Sequence, residues 1–245
     1  MVAADADADG RQPTHEVAVR RWGTDPPAVV LVHGIGVSHR YLVPLARELA
    51  TEVSVAAPDL PGFGDSPRSA RPLTIEEHAQ VLAAVLDRLG VTRAVLVGHS
   101  MGSQVVTELA VRRPDLVHHV VLIGPVAQPG ARSATRLGLR LLRDTVHESW
   151  RANGLMVHDW ARCGPRWYLA TVPPMVGYPL EERIALVRAP VLLVRGERDP
   201  VVPTSYLQRL AAVAREATVH QVAGEGHIAM FRRPAQVAQW CRPGP

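Results

Sequence analysis

The chain has 245 residues, 47% hydrophobic and 20% charged, enough apolar material for a large core in one globular unit. Its 27 basic residues, all arginine, are scattered with no aromatic–basic stripe, so the net charge of +4 does not point to a nucleic-acid partner. Cys163 and Cys241 show no CxxC or Cys/His ligand spacing and read as isolated reduced thiols, and neither a leader-like start nor a membrane-length apolar run occurs, so a cytoplasmic protein with no membrane contact is expected.

The alternating Ala and Asp of residues 1–13 predict a disordered acidic arm. Residues 15–22 alternate and predict an edge strand, and the continuous apolar run 28–32 predicts a strand buried on both faces. That run leads into His33-Gly34-Ile35-Gly36. A helix over 40–50 and a strand over 53–57 follow, then a loop rich in turn residues, Asp59-Leu60-Pro61-Gly62-Phe63-Gly64-Asp65-Ser66. Residues 74–89 are the best helix in the chain. Thr74 can cap it, Glu77 completes a capping box, and Val81, Leu82, Val85 and Leu89 recur at helical spacing.

The apolar run 94–97 ends in Gly98-His99-Ser100-Met101-Gly102 and passes at once into a helical pattern that Pro114 stops. Gly-x-Ser-x-Gly between a strand and a helix is the setting of a nucleophile elbow, a turn so tight that the serine is strained and its hydroxyl exposed. Strand and helix backbones pass closely there, so the positions two before and two after must be small, as Gly98 and Gly102 are.

A further buried strand is expected over 118–123, after which the strand rhythm is lost until about residue 187. That stretch holds Trp150, Trp160 and Trp167 and includes a helical piece over 134–146. Alternation resumes with a strand at 190–194, a helix at 204–215, a strand at 218–222 and a last helix at 234–240. Alternating strands and helices predict an α/β fold with a doubly wound, mostly parallel sheet and one insertion.

Ser100 needs a base to take its proton, and that base needs a third group to fix its tautomer. In an open α/β sheet such groups converge when they lie at the carboxyl ends of strands. His227 follows the 218–222 strand, and Asp199 follows the 190–194 strand. Glu197 shares the Asp199 loop as a rival acid, but the tight Asp199-Pro200 turn favours the shorter side chain. Glu197 is then an ordinary solvated charge. His118 and His119 look like a metal pair, yet adjacent strand residues point to opposite faces, and no metal or other cofactor is expected. A developing oxyanion would receive the backbone N–H of Met101, at the start of the elbow helix, and that of Ile35. His33 and His99 are expected to support the two loops by hydrogen bonding, together with Gly34, Gly98 and Gly102.

Four motifs in order carry a resemblance to the α/β-hydrolase superfamily: His33-Gly34, the Asp59–Ser66 loop, Gly98-His99-Ser100-Met101-Gly102, and the Asp199 and His227 loops. It spans residue 15 to the C-terminus. The resemblance implies an α/β-hydrolase core over 14–125 and 188–245 and a helical cap over 126–187. It makes the Asp59–Ser66 loop a structural turn, so its carboxylates are not catalytic. It also implies a hydrolase of carboxylic esters, thioesters or lactones working on a small-molecule substrate. Two alternatives remain: a carbon–carbon bond hydrolase of vinylogous diketones, and a ligand receptor that keeps the pocket. Ile228 after His227, and His99 before Ser100, depart from what carbon–carbon hydrolases commonly carry. Arg132, Arg136, Arg140 and Arg143 share one helix face in the expected cap and read as solvated, with Leu137, Leu141 and Leu142 on the other, so uncharged, mostly apolar substrates are expected.

Overall fold

The computed structural model describes residues 1–4, 15–126 and 150–243. Among these, nine strands occur: β1 (Val2–Ala4), β2 (His15–Val17), β3 (Val19–Trp22), β4 (Val29–Val32), β5 (Val55–Pro58), β6 (Ala94–His99), β7 (Val117–Ile123), β8 (Val191–Gly196) and β9 (Ala217–Val222). Seven of them form one sheet in the order β3-β5-β4-β6-β7-β8-β9. Only β3 runs antiparallel to its neighbour; every other pairing in that sheet is parallel.

The expected single strand over 15–22 is two. Its first half pairs with Val2–Ala4 in a separate small sheet; residues 5–14, which make up most of the expected acidic arm, lie outside the described residues. Its second half pairs with β5. The break falls at Ala18, whose N–H goes to Ser66 Oγ (2.9 Å) and whose carbonyl accepts the Asp59 N–H (2.8 Å), so both groups leave the ladder.

The central strands are apolar on both faces because both faces are covered. On β4, Val30 and Val32 join one core while Val29 and Leu31 join the other. The first core packs α2 (Ile75–Arg88) and α3 (Met101–Arg112); the second packs α1 (Val43–Leu49) with the short C-terminal helices α8 (Ala229–Arg232) and α9 (Pro234–Ala238). The expected last helix is observed over Pro234–Ala238, opened by Pro234, and a further short helix, Ala229–Arg232, precedes it. Helix α2 starts as its sequence dictates, with Glu77 N–H on Thr74 Oγ1 (3.2 Å) and Thr74 N–H on Glu77 Oε2 (2.8 Å).

Between β7 and β8 lie α4 (Trp150–Cys163), α5 (Pro165–Gly177) and α6 (Leu180–Ile184); the expected helix over 134–146, with its arginines and leucines, lies outside the described residues. Helix α7 (Thr204–Val213) links β8 to β9. The chain winds outward from β4 to β5 and then returns to β6 on the other side of β4. The crevice at that switch point, beyond the carboxyl ends of β4 and β6, is where such sheets bind ligands.

Candidate active site

Ser100 stands between β6 and α3 with φ 54° and ψ −119°, the sole non-glycine residue at positive φ among the described residues. Such a backbone costs about 1–3 kcal/mol and persists where its surroundings hold it. Here the Ser100 N–H donates to Ile123 O (2.9 Å), and Ser103 Oγ donates to Gly98 O (2.9 Å). A Cβ on Gly98 would run into the Gly102 carbonyl, and one on Gly102 into the carbonyls of Val32 and His33. Both glycines are therefore fixed by the close crossing of β6, α3 and β4.

Asp199 and His227 come together from the loops after β8 and β9. His227 Nδ1 donates to Asp199 Oδ2 (2.8 Å), and both side chains are buried. Asp199 Oδ1 accepts the N–H groups of Val201 (2.7 Å) and Val202 (3.1 Å), so the carboxylate is held from both sides. A proton on Nδ1 leaves Nε2 as the basic nitrogen. Gly124, at φ 55°, lets the imidazole pack against the end of β7; a Cβ there would lie 2.7 Å from His227 Cε1. Glu197 is exposed, but it is not merely solvated as expected: its Oε2 accepts Gly224 N–H (2.7 Å) and ties the Asp199 loop to the turn before His227.

Gly34 N–H donates to the Tyr41 hydroxyl (2.9 Å), Tyr41 donates to His99 Nδ1 (2.7 Å), and His99 Nε2 donates to the His227 carbonyl (3.1 Å). This buried chain joins the His33-Gly34 loop, the elbow and the His227 loop. With the Gly34 N–H occupied, Ile35 is the next residue whose N–H can serve an oxyanion. Burial, and then the neighbouring His227 charge, push His99 well below its ordinary pKa, which keeps it neutral as both bonds require. His33 is likewise lowered by burial; its Nδ1 donates to Gly34 O (2.7 Å) while Nε2 accepts Leu60 N–H (2.9 Å). Tyr41 escapes the sequence reading because one tyrosine in an apolar helical run reads as core.

Ser100 and His227 face one cleft whose other walls include Ile35, Met156, Trp160, Tyr168 and Ile228. Met101 is fully buried as the first residue of α3, where N–H groups lack helical partners.

The Asp59 carboxylate is buried and accepts the N–H of His39 (2.7 Å) and of Asp65 (2.9 Å), while Asp65 pairs with Arg40 (2.7 Å) and Arg162 (2.9 Å). His39, Asp59 and Asp65 are close enough together to hold a metal ion. Their hydrogen bonds and two arginines already balance that cluster. The His118 and His119 rings do not diverge as expected but meet, Nδ1 to Nδ1 at 3.0 Å. The pairing of β6 with β7 shifts register between Ala94 and Leu96, opposite Val117 and Val120, and such a bulge breaks strict alternation.

A family model described as the alpha/beta hydrolase family matches residues 29–240. The chain belongs to the alpha/beta hydrolase family. It is accordingly an enzyme of hydrolase type, built on the mostly parallel sheet that the family shares. It is similar to the lipase LipV of Mycobacterium tuberculosis (strain ATCC 25618 / H37Rv), with 44% identity over 119 residues, 48% of this chain and 45% of that one; this match spans less than half of the relative. It is 28% identical over 242 residues to the "Uncharacterized hydrolase YugF" of Bacillus subtilis (strain 168), covering 86% of this chain and 87% of that one. Among solved structures, an esterase from Thermogutta terrifontis with malate bound superposes with a TM-score of 0.79 at 23% identity, covering 98% of this chain and 95% of that one. At that identity the likeness to the esterase is one of fold.

Among the described residues, no helix is long and apolar enough to cross a membrane.

Proposed function

We propose that this hydrolase cleaves carboxylic esters, thioesters or lactones of small, uncharged substrates through an acyl-enzyme on Ser100, with His227 as base and Asp199 as its orienting acid. The observation that carries this reading is the 2.8 Å bond from His227 Nδ1 to Asp199 Oδ2, made beside a strained serine on the same cleft. His227 Nε2 takes the Ser100 proton as Oγ attacks the substrate carbonyl. The N–H groups of Met101 and Ile35 stabilise the oxyanion. The carbon–oxygen (or carbon–sulfur) bond then breaks, and the leaving group departs with the proton from His227. Water, deprotonated by the same nitrogen, attacks the acyl carbon and frees Ser100. Helices α4 and α5, which bring Met156, Trp160 and Tyr168 to the cleft, act as a cap over the nucleophile.

Uncharged substrates are favoured because the described walls of the cleft carry no Asp, Glu, Lys or Arg side chain. The test is Ser100→Ala, whose lost hydroxyl should reduce turnover of a short ester by ~10⁴–10⁶ with the fold retained. A variant keeping a tenth of wild-type activity would end this reading.

A further inference from the structure

The cleft over Ser100 holds only about 40 Å³, room for about three water-sized groups. Two of its walls come down from the inserted helices: Trp160 on α4 and Tyr168 on α5. Both rings rest on Gly36, in the loop that carries Ile35. A Cβ on Gly36 would fall 2.6 Å from Tyr168 Cδ2 and 3.0 Å from Trp160 Cδ1. The glycine, at φ 74°, thus lets both aromatic rings approach the backbone of this loop, one residue beyond Ile35.

A separate set of contacts keeps α4 from lifting. Asp159, the neighbour of Trp160, is 4% exposed; it accepts Ser38 Oγ–H (2.5 Å) and an Arg40 N–H (3.2 Å). The other end of the Arg40 guanidinium grips Asp65 with two bonds (2.7 and 2.8 Å), and Arg162 of α4 also reaches Asp65 (2.9 Å). Arg68 donates to the Cys163 carbonyl (2.7 Å) at the end of α4. Raising the helix would strand a buried carboxylate, so Trp160 is pinned to the same loop as Gly36.

We infer that Trp160 and Tyr168, seated on Gly36 and pinned through Asp159, limit the acyl group of the substrate to short, uncharged chains of about two to four carbons. This rests on the serine-hydrolase reading and goes beyond it by assigning the acyl class and the residues that set it. Trp160 and Tyr168 act by size, and Asp159 acts through Trp160 as a positioning residue.

The experiment compares p-nitrophenyl acetate, butyrate, octanoate and hemisuccinate, with fluorophosphonate labelling of Ser100 run beside it. Wild type should label, and its kcat/KM for butyrate should exceed those for octanoate and hemisuccinate by at least about tenfold. Trp160→Ala should raise the octanoate-to-butyrate ratio by about tenfold or more, and Asp159→Asn should move it the same way by less. Trp160→Phe and Tyr168→Leu are milder changes that should shift the ratio in the same direction. Labelling reports whether each variant keeps a folded site. A labelled wild type that prefers octanoate overturns the inference and leaves the serine-hydrolase reading standing. So do labelled variants whose ratios equal that of wild type. A wild type that neither labels nor turns over any of these esters removes the serine-hydrolase reading, and the inference with it.

Discussion

Both oxygens of Asp199 are committed, one to the N–H groups of Val201 and Val202 and the other to the His227 ring. An amide at this position keeps the shape but presents N–H to Nδ1, which favours the wrong tautomer. Asp199→Asn should therefore lower kcat by up to ~10⁴ with the fold intact. Glu197→Gln, whose amide oxygen can still accept Gly224 N–H, should change kcat by less than about tenfold. Steady-state kinetics on a short ester, with circular dichroism as the fold check, decides between them. A reversed order would move the acid to Glu197. The residues of this site were legible where chemistry and strand ends coincide, as at Ser100, Asp199 and His227. Tyr41 and Gly124 were not, because their roles depend on what lies opposite them in space: His99 for the one, the His227 ring for the other.

At the scale of elements, legibility follows the range of the forces involved. Helix α2 begins at Thr74 because the capping box joins residues three apart, so the signal is local. The doubly wound sheet was legible in the same way, since buried parallel strands read as continuous apolar runs. The division of the first edge strand was not. Ala18 leaves the ladder because Asp59 and Ser66, far along the chain, claim its carbonyl and N–H. The meeting of His118 with His119 likewise depends on an irregular register with β6, which no period-two pattern can reveal. For the inserted helices, periodicity indicates helix but not where it packs. The contacts that seat α4, from Asp159 to Ser38 and from Arg68 to Cys163, each join residues remote in sequence.

The molecule as a whole buries several histidines in neutral form, and this ties its stability to pH. Desolvation drives His78 down to about 3, and His33 and His99 are lowered for the same first reason. In the unfolded chain a histidine takes up its proton near pH 6.5, so below that pH the unfolded state binds more protons than the folded one. Stability should fall as pH drops from about 6.5 towards 3, and His78 alone contributes ~2 kcal/mol of that loss at pH 5. Neither ring nitrogen of His78 has a hydrogen-bond partner among the described residues, so His78→Leu forfeits no bond there. Thermal unfolding at pH 7 and pH 5 should show a smaller drop in Tm for His78→Leu than for wild type. Equal drops would mean that His78 is not held neutral.

The sheet, the elbow and the Asp199–His227 pair converge on one claim, that Ser100 carries the acyl group during turnover. The most direct measurement mixes the enzyme with p-nitrophenyl butyrate, quenches with acid before steady state, and locates the added mass by peptide mapping. A butyryl group should form on Ser100 and decay as fast as product appears, with no adduct in Ser100→Ala. Turnover with Ser100 unmodified throughout, or an acyl group found only on another residue, would contradict it.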